Sequence, residues 1–88
     1  MKSRASAKIK RRYLLIEGNK EEVEKAILDY IGILGWAKAM PVFVIPKRGD
    51  RMILSVDRKE LTNVRAGFEA SPYKIKVLRV SGTIKGLG

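Results

Sequence analysis

At 88 residues, with 19 basic and nine acidic side chains and a net charge of +10, the chain can bury one small core but not a deep catalytic cavity. It has neither cysteine nor histidine, which removes disulfides, thiolate catalysis, zinc fingers, the usual general base and the commonest metal ligand. No apolar run approaches a membrane span, and the basic start does not lead into the apolar stretch of a secretory signal, so the inventory predicts an intracellular, cytoplasmic binding protein.

Residues 1–10 are small and basic with nothing to pack, and are expected to form a disordered N-terminal arm. Arg12-Tyr13-Leu14-Leu15-Ile16-Glu17 is a short β-rich run closed by Gly18, the first strand. Asn19 followed by Glu22 is a variant of the capping box, and Val23, Ala26, Ile27, Tyr30, Ile31 and Leu34 then form one helical stripe. Gly35 stands where that helix should stop. From Trp36 the chain is expected to be extended, with Met40–Ile45 as the second strand and Pro41 placing it at an edge. Pro46–Asp50 reads as a turn and Met52–Val56 as the returning third strand. Asp57 and Glu60 again have cap spacing, Leu61, Val64 and Phe68 space a second helix that ends before Pro72, and Lys74–Val80 is the fourth strand.

The order is βαββαβ. Two right-handed crossovers around a central hairpin predict an α+β two-layer sandwich of ferredoxin-like type: a four-stranded antiparallel sheet with two helices on one face. Residues 11–88 would then be one ferredoxin-like domain. The topology names no function by itself. In such a sandwich the uncovered sheet face should be polar, yet Leu14-Leu15-Ile16, Val42-Phe43-Val44-Ile45 and Met52-Ile53-Leu54 are apolar on both faces. That predicts a protein partner, a second copy of this chain or a different one, with Trp36 and Met40 at the rim.

The charge is segregated. Residues 1–12 carry Lys2, Arg4, Lys8, Lys10, Arg11 and Arg12, and residues 71–88 carry Lys74, Lys76, Arg79 and Lys85, with no acid in either stretch; the middle is neutral. A segregated charge builds a directional field, and polyanions, RNA or DNA first, are its natural partners.

Several specific chemistries fail on the residues. Base stacking of the RRM type needs aromatics on the first and third strands, and only Tyr13 is present. An acylphosphatase needs an arginine and an asparagine cradling phosphate after the first strand, where Gly18-Asn19-Lys20-Glu21-Glu22 is acidic and lacks arginine. Ser81-Gly82-Thr83-Ile84-Lys85-Gly86 lacks the spacing of a nucleotide phosphate loop and reads equally as a tight turn or an RNA contact through Lys85. Lys47, Arg48 and Arg51 suggest a basic hairpin tip. Arg58, Lys59 and Arg65 fit a solvated helix face, and no carboxylate cluster suits a metal.

Taken together, the basic start running into Arg12-Tyr13-Leu14-Leu15, the stretch Gly32-Ile33-Leu34-Gly35-Trp36-Ala37-Lys38-Ala39, the segment Ile53–Glu60 leading into the second helix, and the ending Leu78-Arg79-Val80-Ser81-Gly82-Thr83-Ile84-Lys85 resemble ribonuclease P protein component 2, the small subunit shared by archaea and eukaryotes. The Ser-Gly-Thr-Ile-Lys ending is the most specific of these pieces. The resemblance implies a non-catalytic, RNA-binding subunit of the ribonucleoprotein endoribonuclease that removes the 5′ leader of precursor tRNA. It implies that the RNA carries the active site and its Mg²⁺, that the protein itself binds no cofactor, and that ribonuclease P RNA, precursor tRNA and ribonuclease P protein component 3 are its partners. Many relatives continue past the final segment with another helix, and contacts made there are not carried over. The RNA-contact residues expected here rest on charge and position: Lys8, Lys10, Arg11, Arg12, Arg79 and Lys85. Rival readings are a ribosomal or other structural RNA-binding protein, and a small-molecule regulatory domain of the same topology.

Overall fold

The structure is a computed structural model and describes residues 10–44 and 51–87. Strand β1 is Arg11–Glu17, helix α1 Lys20–Ala39, strand β2 Val42–Val44, strand β3 Arg51–Asp57, helix α2 Leu61–Ala70 and strand β4 Lys76–Ser81. A 3-10 turn, Arg58–Glu60, leads into α2, and another, Lys85–Leu87, follows β4. The strands form one antiparallel sheet in the order β2-β3-β1-β4, the ferredoxin-like arrangement expected from the sequence.

Alternation in the strands decides the layers. Leu14 and Ile16 of β1 and Met52, Leu54 and Val56 of β3 point to the helices, where they meet Val23, Ala26, Ile27 and Ala39 of α1 and Val64 and Phe68 of α2 in one buried cluster. The two helices approach closely at Gly67, where an added Cβ would lie 3.2 Å from the Ala26 carbonyl oxygen and 3.1 Å from the Tyr30 Cβ. Both predicted caps form: Asn19 Oδ1 accepts from the backbone N–H of Glu21 and Glu22, and Asp57 Oδ1 from that of Lys59. Ser71 closes α2, its Oγ donating to the Phe68 carbonyl at 2.9 Å.

The first helix does not stop at Gly35. It kinks at Gly32 (φ 74°, ψ −178°), a conformation essentially open only to glycine, and resumes as far as Ala39, with Met40 in a left-handed cap donating its N–H to the Trp36 carbonyl. The expected stripe holds for Val23, Ala26, Ile27 and Ile31, while Tyr30 is half exposed ahead of the kink; the kink then breaks the 100° phase, leaving Leu34 79% exposed and returning Trp36 and Ala39 to the core. The stretch from Trp36 to Ala39, expected to be extended, is therefore helical, and the second strand begins two residues later than expected, its expected end at Ile45 lying outside the described residues. β2 does occupy the sheet edge, just after Pro41. The turn Pro46–Asp50 lies outside the described residues. β4 starts two residues later than expected and carries an extra residue, Leu78, where the register against β1 shifts between Leu15 and Ile16.

Candidate nucleic-acid interface

The register of β1 determines where the predicted contact residues stand. Tyr13 pairs with Ser81 and Arg11 with Asp57, so the start of β1 lies beside the ends of both β3 and β4. Lys10, just before β1, accepts a hydrogen bond at its carbonyl from the Arg58 backbone N–H at 2.9 Å. Arg12 reaches across to the turn after β4: a Cβ added to Gly82 would sit 3.5 Å from its Nη1.

That turn is held in shape by its own hydrogen bonds. Ser81 Oγ accepts from the Thr83 N–H at 3.2 Å, Thr83 Oγ1 from the Gly86 N–H at 3.1 Å, and the Ile84 carbonyl from the Leu87 N–H at 3.0 Å. Buried Leu87 anchors the segment, while Lys85 stays exposed. Gly86 is required by crowding, because a Cβ there would lie 2.0 Å from Ser81 Oγ.

Lys10, Arg12 and Lys85 thus come together at one end of the sheet. Arg79 lies on the open sheet face opposite Leu15, with its Nη1 3.5 Å from the Gly86 carbonyl oxygen. Arg11 lies across that face and is engaged within the fold, donating to Ser55 and to the Met40 carbonyl. Lys8 lies outside the described residues.

Two further cations join the same end. Arg58 and Lys59, read from the sequence as part of a solvated helix face, are exposed and follow directly on β3 beside Lys10. The pairing of the first and third strands in a split βαβ sheet is the signal that could have placed them. Asp57 and Glu60 are the carboxylates there, and among the described residues none of the five cations is in an ion pair. Side chains of this kind can bind and orient phosphate groups through charge and hydrogen bonding.

The open face carries two cross-strand rows, Val42–Ser55–Tyr13–Ser81 and Val44–Ile53–Leu15–Arg79. Its middle is apolar, as expected, with Val42 and Val44 about half exposed at the edge. Among the described residues the largest apolar exposure is elsewhere, at the helix kink, where Ile33 is 80% and Leu34 79% exposed. Of the expected rim residues, Trp36 packs against the core and Met40 is exposed. Among the described residues there is no group of carboxylates that could hold a metal ion, and no helix long and apolar enough to cross a membrane.

Ribonuclease P protein component 2 of Thermococcus gammatolerans is 38% identical to this chain over 79 residues, covering 77% of this chain and 66% of that protein. The chain belongs to the ribonuclease P protein component 2 family. It spans just under two thirds of the length of that relative. No protein-family model matches the chain. The fold and the basic sheet end described above are therefore those of a component 2 relative.

Proposed function

We propose that this chain is a non-catalytic protein subunit of ribonuclease P that binds the RNA component and assists Mg²⁺-dependent removal of the 5′ leader from precursor tRNA. The observation that carries the reading is the kinship with component 2, and the physical support is the cluster of Lys10, Arg12, Arg58, Lys59 and Lys85 at one sheet end. Lysine and arginine side chains at the RNA backbone displace condensed counterions, and each phosphate so neutralised lowers the salt exponent of binding by about 0.7 to 0.9. Reduced repulsion between phosphates lets a folded RNA and its substrate come together at lower Mg²⁺. In this reading the RNA holds the metal and performs the cleavage, and the protein's side chains bind and position.

Ribonuclease P protein component 3 is the proposed protein partner, and the exposed Ile33 and Leu34 at the kink of α1 support a protein contact there. A cytoplasmic location accompanies this assignment.

The test is a drop-out reconstitution of precursor tRNA cleavage at limiting Mg²⁺, using ribonuclease P RNA and the other protein subunits with and without this chain. Activity that falls without the chain and returns on its addition is expected. Cleavage that is indifferent to the chain would remove the assignment.

A further inference from the structure

A second cationic surface lies at the opposite end of the sheet, some six residues of β1 away from the first. There a cleft of about 750 Å³ is bordered by Lys20 of α1, Arg51 of β3, Lys74 before β4 and Lys76 of β4, with Glu17 and Glu22 as its carboxylates. The cations come from three separate segments, the start of α1, the start of β3 and the entry to β4, brought together by the fold. Glu17 pairs across the sheet with both Arg51 and Lys76, so the end row of the open face reads cation, acid, cation. Gly18 (φ 156°) lets the turn after β1 pack against the approach to β4: a Cβ there would lie 3.4 Å from the Lys74 carbonyl oxygen. That close contact fixes Lys74 at the rim.

We propose that this cleft is a second phosphate-binding site, which takes a separate stretch of RNA backbone so that one chain bridges two backbone segments. The proposal rests on the RNA-binding reading above. The ends of β1 are about 20 Å apart at the usual strand rise. Between them the open face is mainly apolar, with Leu15, Ile53, Val42 and Val44, and its one guanidinium at the β4 edge, Arg79, is turned to the Gly86 carbonyl, so the two cationic ends act as separate contacts rather than one continuous track. The occupant is a polyanion rather than a small anion because the cations are exposed and spread around an open rim. Such an arrangement gains from counterion release along a backbone and lacks the enclosed donors that select a small ligand.

The experiment compares binding of a ribonuclease P RNA transcript by the wild-type chain, by a far-end variant with Arg51, Lys74 and Lys76 all changed to Gln, and by a near-end variant with Lys10, Arg12 and Lys85 changed to Gln. Affinity is measured over about 50 to 200 mM salt, with thermal melting as the control for folding. The far-end variant is expected to lose about tenfold to a hundredfold in affinity and to flatten the log–log salt slope by about 2. The near-end loss should add to it, since the sites are further apart than the ~10 Å over which such effects couple. If the triple far-end variant melts early, the single change Lys76→Glu on the exposed edge strand carries the test.

A far-end variant that binds with wild-type affinity and slope while the near-end variant is impaired would overturn the second site and leave the RNA-binding reading intact. Wild-type binding by both variants would overturn both. Loss in the far-end variant alone would keep the cleft and remove the near-end assignment.

Discussion

Arg11 Nε donates to Ser55 Oγ at 2.5 Å, joining two residues that lie diagonally on the open face of neighbouring strands. The same guanidinium donates from Nη2 to the Ser55 carbonyl at 2.8 Å and to the Met40 carbonyl. One side chain thereby ties β1 to β3 and to the C-terminal cap of α1. Ser55 is 6% exposed, so loss of the guanidinium leaves polar atoms without access to water. Arg11→Ala is expected to destabilise the fold by about 2 kcal/mol, measured by urea denaturation. Arg11→Lys keeps the charge but cannot reproduce the fork, and should still lose about 1 kcal/mol. A lysine variant as stable as wild type would show that Arg11 acts through charge alone.

At Gly32 the expected cost comes from the backbone itself. A Cβ there would meet nothing within 4 Å, so Gly32→Ala creates no clash, but φ 74° with ψ −178° is a conformation alanine avoids by about 1 to 3 kcal/mol. The alternative is for α1 to straighten, which gains about 1 kcal/mol of helix propensity but rotates the following residues out of phase and draws Trp36 and Ala39 off the core. Either route predicts a less stable protein, and straightening also red-shifts the emission of Trp36, the only tryptophan in the chain. An alanine variant of equal or greater stability with unshifted emission would contradict the kink's structural role.

Asn19 offers a simpler prediction. Its Oδ1 accepts from Glu21 N–H at 2.8 Å and from Glu22 N–H at 3.2 Å, satisfying two donors at the start of α1 that nothing else pairs among the described residues. Asn19→Ala should lower stability by about 1 kcal/mol, while Asn19→Asp should retain most of it. Equal losses in the two variants would point to a role for the amide that the cap does not explain.

The strands, the second helix and the two caps were legible in the sequence because each follows from a local rule. β-rich apolar runs bounded by turn residues mark the strands, although they do not show that Leu14, Ile16, Leu54 and Val56 take the core face, and Asn19 and Asp57 carry their cap signatures in their spacing. The end of α1 was not legible. Gly32 and Gly35 look alike as helix stops in the sequence, yet Gly32 takes the forbidden dihedral, while Gly35 stays helical with the Ile31 side chain 2.6 Å from the position of its own missing Cβ. Leu34 fits the helical period and is pushed outward solely by the kink two residues earlier. For the candidate site, the basic ends of the chain could be read from composition, and strand pairing suggested that they share a side. The contribution of Arg58 and Lys59 and the cleft at the far end needed the register of β1 against β3 and β4, which no local pattern encodes. The intramolecular engagement of Arg11 was hidden for the same reason, since Ser55 is 44 residues away.

Ile33 and Leu34 give the prediction that separates folding from assembly. Both are about four-fifths exposed and contribute little to the core, so changing both to Ser should shift stability by no more than about 0.5 kcal/mol. Neither residue is needed by the basic sheet end, and RNA affinity and its salt slope should stay at wild-type values. On the proposed partner reading, however, these side chains are buried against component 3. Apolar side chains of this size contribute about 1.5 to 3 kcal/mol each on burial, so the double variant should weaken binding of that protein by about a hundredfold or more in calorimetric titration. Wild-type affinity for component 3 in a variant that melts normally would move the interface away from the kink, to the apolar open face of the sheet around Val42 and Val44.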